Sequence, residues 1–231
     1  MEQSLGSSLP IVIFHAAERL DESKVNEWKA VQLGCQLSSL GFQPIVTMLS
    51  PSFPGAVVVP HAGIRVLGFG YYPEKLSSDS DPLASPLVGP VYELFLRRLA
   101  FRHEIQLVHS FTLTGLRALL RIACHYGLPA VVSLPHPPES YDQSLFWKGL
   151  FYHLRERPRH ASSRPMWGIT AANLQTLEIP ARLDSQYRVA AGKDFVVTTH
   201  PQTPEAWAKL YRTLLGGEGR FPNVKTIGEN G

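Results

Sequence analysis

Residues 105–136 read IQLVHSFTLTGLRALLRIACHYGLPAVVSLPH, and this stretch gives the clearest indication of the fold. Residues 105–109 form a short apolar run of the kind that makes a buried parallel strand. Residues 113–126 carry apolar side chains at helical spacing, and Gly127 stands where a helix ends. Residues 129–134 form a second apolar run. The stretch therefore predicts a strand, a helix and another strand in succession, which is the unit of a parallel sheet.

The same alternation continues on both sides of this stretch. The predicted strands and extended segments are residues 10–15, 43–49, 57–59, 64–67, 166–169, 187–189 and 195–197. The predicted helices are residues 24–40, 90–103, 141–157, 171–178 with Thr170 as N-cap, and 203–215. The last of these opens with Thr203-Pro204-Glu205, an N-cap followed by proline and an acidic residue. The pattern predicts an α/β fold with a doubly wound, mostly parallel, Rossmann-like sheet.

The domain organisation follows from the chain length of 231 residues, which suits one large domain. Residues 1–217 are predicted to form that domain, and the helix at residues 204–215 packs back on the sheet. Residues 218–231 are predicted to be a loose tail. Residues 68–90 are rich in Gly, Pro, Ser and Asp and are predicted to form a long loop.

Composition narrows the class of protein. Hydrophobic residues make up 44% of the chain, as in ordinary globular proteins, and a net charge of only +3 argues against a dedicated nucleic-acid binder. No apolar run is long enough to span a membrane. The N-terminal apolar run is too short for a signal peptide and no basic segment precedes it, so a cytoplasmic location is expected. Cys35 and Cys124 lie in helical apolar patterns typical of buried thiols.

Histidines stand at the ends of three predicted strands. They are His15, His109, which Ser110 follows, and His136. In an open parallel sheet ligands bind at the carboxyl ends of the strands, and a histidine there can act as a base near neutral pH. Each could equally be a polar residue where a strand becomes a loop. The first strand lacks a Gly-x-Gly-x-x-Gly fingerprint, and no Walker phosphate loop, nucleophile elbow or metal-ligand spacing is found, so no cofactor or metal is predicted.

Several stretches resemble the N-terminal, acceptor-side domain of family 4 retaining glycosyltransferases of the GT-B type. Residues 105–111 resemble that family's strand ending in histidine, and residues 127–136 resemble its "G-I-P-V-V-V-T-x-H" strand. Residues 167–177 are similar to its next strand and helix, and residues 191–194 (AGKD) occupy the place of its "N-G-V-D" segment. Residues 207–215 resemble the final helix that crosses back to the N-terminal domain. Together these stretches cover most of residues 10–215.

The resemblance implies a set of site residues. His136 would match the family's histidine near the reacting centre and His109 the histidine that ends the fourth strand, so both are candidate catalytic residues. Lys193 and Asp194 would lie near the former interdomain cleft and bind substrate. From their places at and after the predicted strand ends, His15, Glu18, Arg19 and Ser110 are expected to bind substrate as well. Family members carry a donor-binding domain between the "N-G-V-D" point and the final helix, whereas only about ten residues separate Asp194 from that helix here. The implied protein is an acceptor-side half that binds a sugar acceptor and works with a separate donor-binding partner.

Residues 141–157 add a second candidate surface. The aromatic residues Phe146, Trp147 and Phe151 follow helical spacing, and Lys148 and Arg155 lie beside them. Such a helix can lie on an anionic membrane at its inner face, which would suit a lipid-linked acceptor. It can also be a core-facing stripe with a basic end, or an interface for a partner subunit.

The sequence is compatible with three functions. The first is a glycosyltransferase half in glycan or glycoconjugate biosynthesis, inactive without its partner. The second is a non-catalytic binding or scaffold protein derived from such a domain. The third, an independent small-molecule enzyme on a similar sheet, has no motif in its favour.

Overall fold

The computed structural model describes residues 11–19, 27–50, 56–58, 63–70, 88–112, 115–134, 167–171, 195–199 and 201–215. Within these ranges the chain forms eight strands in one sheet and four helices. The strands are β1 (Ile11–Arg19), β2 (Gln43–Ser50), β3 (Ala56–Val58), β4 (Arg65–Gly70), β5 (Leu107–Ser110), β6 (Ala130–Leu134), β7 (Trp167–Ala171) and β8 (Phe195–Thr199). The helices are α1 (Lys29–Ser38), α2 (Val88–His103), α3 (Leu116–Tyr126) and α4 (Pro204–Leu214).

The sheet has the strand order β3-β4-β2-β1-β5-β6-β7-β8. All neighbouring pairs are parallel except β3 with β4, which are antiparallel at one edge. Parallel strands need helices over both faces, since the connections cross the sheet and the strands are apolar on both sides. The α/β fold with a mostly parallel sheet, predicted from the alternation of strands and helices, is confirmed.

The segment from β5 to β6 has the predicted structure. All four residues of β5 are buried, and the strand pairs with β1 on one side and β6 on the other. Helix α3 ends at Gly127, whose φ of 65° is the left-handed conformation that glycine adopts without strain. The helix begins at Leu116, three residues later than predicted, after Gly115 in the same left-handed conformation.

The structure differs from the prediction at the ends of several elements. β1 continues to Arg19, beyond the predicted end at His15, with an irregular register between these two residues. Thr170 lies within β7 and pairs with Ser133 of β6 and Thr198 of β8, so its prediction as an N-cap was wrong. Backbone groups on both neighbouring strands keep β7 in the sheet past the point where local sequence predicts a helix.

The helices lie on both faces of the sheet. α1 and α4 share one apolar cluster with side chains of β2, β4, β5 and β6, including Val46, Val66, Leu107 and Val131. On the opposite face, Phe69 of β4 contacts Tyr92 of α2 with ring centroids 4.9 Å apart. Glu93 of α2 forms an ion pair with Arg121 of α3 at 3.2 Å, which places α3 beside α2.

Candidate functional site

The carboxyl edge of the sheet brings together the predicted residues on β1 and β5. His15 is the Cα partner of Ser110 on β5 and of Thr47 on β2. Glu18 and Arg19 lie in the last part of β1, and Arg19 is the partner of Leu49. The register therefore places four predicted substrate-binding residues at one edge of the sheet, where a parallel sheet usually binds ligands.

Ser110 and His109 point to opposite faces of β5, because successive residues of a strand alternate. Ser110 is buried, and its hydroxyl donates a hydrogen bond of 2.6 Å to the backbone oxygen of Thr112. This bond fixes the turn that leaves β5. The Ser110 hydroxyl thus shapes the loop at the sheet edge.

His109 is completely buried, with 0% of its surface exposed. Its Nδ1 lies 2.6 Å from the Tyr211 hydroxyl of α4, and its Nε2 lies 2.6 Å from Ser133 Oγ of β6. A hydroxyl can donate or accept, so either neutral tautomer of the imidazole satisfies both bonds. The ring links β5, β6 and α4 through these two hydrogen bonds.

Aromatic rings surround His109 on the same face. The centroid of Phe111 lies 4.0 Å from the imidazole centroid, and that of Trp207 lies 5.0 Å from it. Burial raises the pKa of Tyr211 well above its ordinary value, so this phenol stays neutral and keeps its proton for hydrogen bonding. The space beside the ends of β5 and β6 on this face is therefore filled by α4.

Helix α4 is held in place by its ends as well as by its apolar face. The Thr203 side chain accepts a hydrogen bond from the Ala206 amide at 3.3 Å, with Pro204 next in the chain, as the sequence predicts. Near its other end, Arg212 donates to the Leu40 backbone oxygen at 2.9 Å and stands over the Phe42 ring. These contacts join α4 to the end of α1.

The other predicted site residues lie outside the residues that the structure describes. They are the predicted catalytic His136, the cleft residues Lys193 and Asp194, and the surface residues Phe146, Trp147, Lys148, Phe151 and Arg155. Their roles stay predictions. The catalytic role of His109 also stays a prediction, and the geometry adds that this imidazole contacts protein groups through both nitrogens.

A cavity of about 490 Å³ opens at the opposite, amino edge of the sheet. It is lined by the first residues of β2 and β4 and by the ends of α1 and α2, including Gln43, Arg65 and His103. Partial burial lowers the pKa of His103, and the charges of Arg65 and Arg102 lower it further. Sequence reasoning missed this site, because only the fold brings Arg65 and His103 together.

Further observations bear on metal sites, membranes and thiols. Among the residues described, no three His, Cys, Asp or Glu side chains lie close enough together to hold a metal ion. None of the helices in the described ranges has the length and apolarity needed to cross a membrane. Cys35 is a partly buried free thiol, and burial raises its pKa, which lowers its reactivity at neutral pH.

Comparison with solved structures finds six chains that are similar to this one, a glycosyltransferase among them. The chain matches no model of a known protein family. No curated protein matches its sequence. A crystal structure of a glycosyltransferase from Rickettsia africae ESF-5 is similar to it, with a TM-score of 0.43 and 12% sequence identity. The match covers 83% of this chain and 43% of that one, so the chain spans less than half the length of the neighbour. A structural similarity of this size does not indicate a function for the chain.

Proposed function

We propose that this chain is the acceptor-side half of a GT-B type glycosyltransferase, with a doubly wound sheet. In this proposal it binds a sugar acceptor at the carboxyl edge of the sheet, and a separate donor-binding chain completes the enzyme. The observation that carries the proposal is the docking of α4 on the face of β5 and β6, fixed by His109, Ser133 and Tyr211. The resemblance in sequence implies a final helix that returns to this domain.

The site residues have distinct roles in this proposal. Glu18 and Arg19 offer a carboxylate and a guanidinium at the end of β1, which suit the several hydroxyl groups of a saccharide. Ser110 keeps the adjacent β5 turn in shape. His136 is the proposed base for the acceptor hydroxyl, and Lys193 and Asp194 line the cleft toward the partner. His109 acts as a positioning residue that holds α4 against the sheet.

A second candidate function has its own observation in its favour. His109 is a predicted catalytic residue whose surroundings the structure describes, and none of its surface is exposed. A histidine that is hydrogen-bonded through both nitrogens and covered by aromatic rings is typical of a structural core residue. This favours a binding or scaffold protein that kept the fold of a glycosyltransferase domain and lost its chemistry.

The test of the proposed function is a thermal-shift titration of the whole chain with two panels. One panel holds nucleotide sugars based on UDP and GDP, and the other holds neutral and charged oligosaccharides. A ligand that binds only the folded state stabilises it by about 2.7 kcal/mol at a concentration of 100 times its Kd. We expect a saturable rise in Tm with at least one oligosaccharide and none with the nucleotide sugars.

Two matched variants locate the binding. Arg19→Ala removes the guanidinium at the end of β1, and Arg98→Ala removes one from the exposed side of α2. The proposal expects the oligosaccharide shift to disappear in the first variant and persist in the second. A nucleotide-sugar shift in the wild type would mean that the chain binds donor itself. If no ligand of either panel raises the Tm, the result would favour the binding or scaffold function.

A further inference from the structure

Helix α2 carries apolar side chains on both of its sides. Its inward residues Tyr92 and Leu96 are buried in the core. On the outward side, Val91 is 55% exposed, Leu94 49% and Phe101 82%. A surface helix normally turns a polar face to water, whereas the side of α2 that faces away from the core carries these three apolar side chains. The outward side of α2 therefore has the composition of a surface that something covers.

The outward residues form one stripe along the helix. At about 100° per residue, the side chains of Val91, Leu94, Arg98, Phe101 and Arg102 fall within an arc of about 100° and span about 17 Å of the helix. These five residues are called the α2 outer stripe. Arg98 and Arg102 stand between and beside the apolar side chains, and both are exposed. The stripe thus mixes apolar surface with two guanidinium groups.

The stripe has no neutralising carboxylate of its own. Glu93, the acidic residue of α2, lies 2.7 Å from Arg97 and 3.2 Å from Arg121 and is engaged by both. Glu104 follows in the turn after the helix and is exposed. Within the described part of the chain, neither Arg98 nor Arg102 forms an ion pair. Arg65 and Arg102 both lower the pKa of His103 at the same end of α2, so two guanidinium groups lie near each other there.

We propose that the α2 outer stripe binds the surface of an anionic lipid bilayer. Phe101, Leu94 and Val91 would enter the boundary between headgroups and acyl chains, while Arg98 and Arg102 contact headgroup phosphates. A second copy of the chain is a poorer occupant, because a two-fold contact would bring the arginines of both stripes together. This surface is independent of the proposed function, since it lies on a helix that contributes none of the acceptor-binding residues.

The experiment is co-sedimentation of the full chain with vesicles of two compositions, phosphatidylcholine alone and phosphatidylcholine mixed with phosphatidylserine. We expect wild-type protein to sediment with the mixed vesicles and to lose most of its binding in the neutral vesicles or at high salt. Each arginine near an anionic surface strengthens binding about fivefold, so Arg98→Gln with Arg102→Gln should weaken it roughly twenty-five-fold. Leu94→Ser with Phe101→Ser should weaken it at least about tenfold, through lost apolar burial.

A charge-matched control separates the stripe from the net charge of the protein. Lys29→Gln with Lys209→Gln removes two exposed cations from the helices on the opposite face of the sheet. The proposal expects nearly wild-type binding in this variant. Equal weakening in the two double variants would overturn it in favour of general charge attraction. All variants change exposed residues, and their circular dichroism and Tm should match the wild type.

Two other results would also overturn the proposal. One is wild-type protein that does not bind the mixed vesicles. If that protein self-associates and Phe101→Ser abolishes the association, the α2 outer stripe binds a second copy of the chain. The other is binding that survives in the arginine variant and disappears in Trp147→Glu, which would place the membrane surface on residues 141–157.

Discussion

Helices α4 and α2 lie on opposite faces of the same sheet and differ in how much of their apolar surface is buried. α4 buries Trp207, Leu210 and Tyr211, while Glu205 and Arg212 remain exposed. α2 buries Tyr92 and Leu96 and also exposes Val91, Leu94 and Phe101. The apolar face of α4 is therefore covered by its own domain, whereas α2 also presents apolar side chains to solvent.

Side chains that pack on the sheet and side chains that face outward contribute to different equilibria, the first to folding and the second to association with other surfaces. A change on the inner side of α4 acts on the folded state of the chain, because it removes packing or hydrogen bonds. A change on the outer side of α2 leaves folding nearly unaffected and acts on association. The largest losses of stability are therefore expected from changes on the inner side of α4, and the smallest from changes on the outer side of α2.

Leu210→Ala should have the largest effect on stability. Leu210 is completely buried on the inner side of α4, and such truncations cost about 2–5 kcal/mol through lost burial and a new cavity. The free energy of unfolding by urea measures this loss. Glu205→Gln, on the exposed side of the same helix, is the control and should change it by less than about 0.5 kcal/mol. Equal effects of the two changes would show that α4 does not pack as described.

His109→Ala should cost about 3 kcal/mol, because it opens a cavity and removes one partner from each of the Tyr211 and Ser133 hydroxyls. For a chain of this size the Tm should fall by roughly 6–12 °C. His125→Ala changes an exposed histidine of α3 and should leave the Tm nearly unchanged. An unaltered Tm in His109→Ala would contradict the positioning role and would favour a catalytic role for the imidazole.

Tyr211 predicts a loss of stability at alkaline pH. Its pKa is raised in the folded state, so the folded protein holds the proton that the unfolded chain releases near pH 10. The stabilisation is fully present below pH 10 and is lost as the pH rises from there toward the folded pKa, by up to about 1.4 kcal/mol per pH unit. Tyr211→Phe should make the decline above pH 10 shallower. Tyr126→Phe, at an exposed tyrosine, should keep the wild-type decline.

Phe101→Ser should have the smallest effect on folding. The side chain is 82% exposed, so the change in unfolding free energy should lie within about 0.5 kcal/mol. Urea denaturation of this variant and of Leu210→Ala, run side by side, gives the contrast between the two helices directly. A loss of more than about 1 kcal/mol in unfolding free energy would approach the cost of truncating a buried side chain. Such a loss would mean that Phe101 packs within the folded chain.

Local signals explain why so much of the fold could be predicted. The apolar runs of β5 and β6, Gly127 after α3, and the Thr203-Pro204 start of α4 act within a few residues, so the sequence alone reveals them. The ends of β1 and β7 could not be predicted in the same way. Arg19 and Thr170 remain in strands because neighbouring strands offer backbone partners there, and that information lies elsewhere in the chain.

The candidate site was only partly predictable for the same reason. The positions of His109 and Ser110 at the end of β5 follow from the order of elements, but the Tyr211 partner of His109 lies 102 residues away on α4. A buried imidazole needs hydrogen bonds, yet the sequence does not say which hydroxyl supplies them. Likewise, apolar residues lie on two opposite sides of α2, so the sequence could not tell its inner side from its outer side.

The most direct test of the proposed function is hydrogen–deuterium exchange of the whole chain with and without the oligosaccharide that gives the largest rise in Tm. We expect slower exchange in backbone amides at the carboxyl edge, in residues 15–19 and 107–112, and no change around Gln43 and Arg65 at the amino edge. Protection confined to the amino edge, or no protection by any oligosaccharide of the panel, would contradict an acceptor site at the ends of β1 and β5.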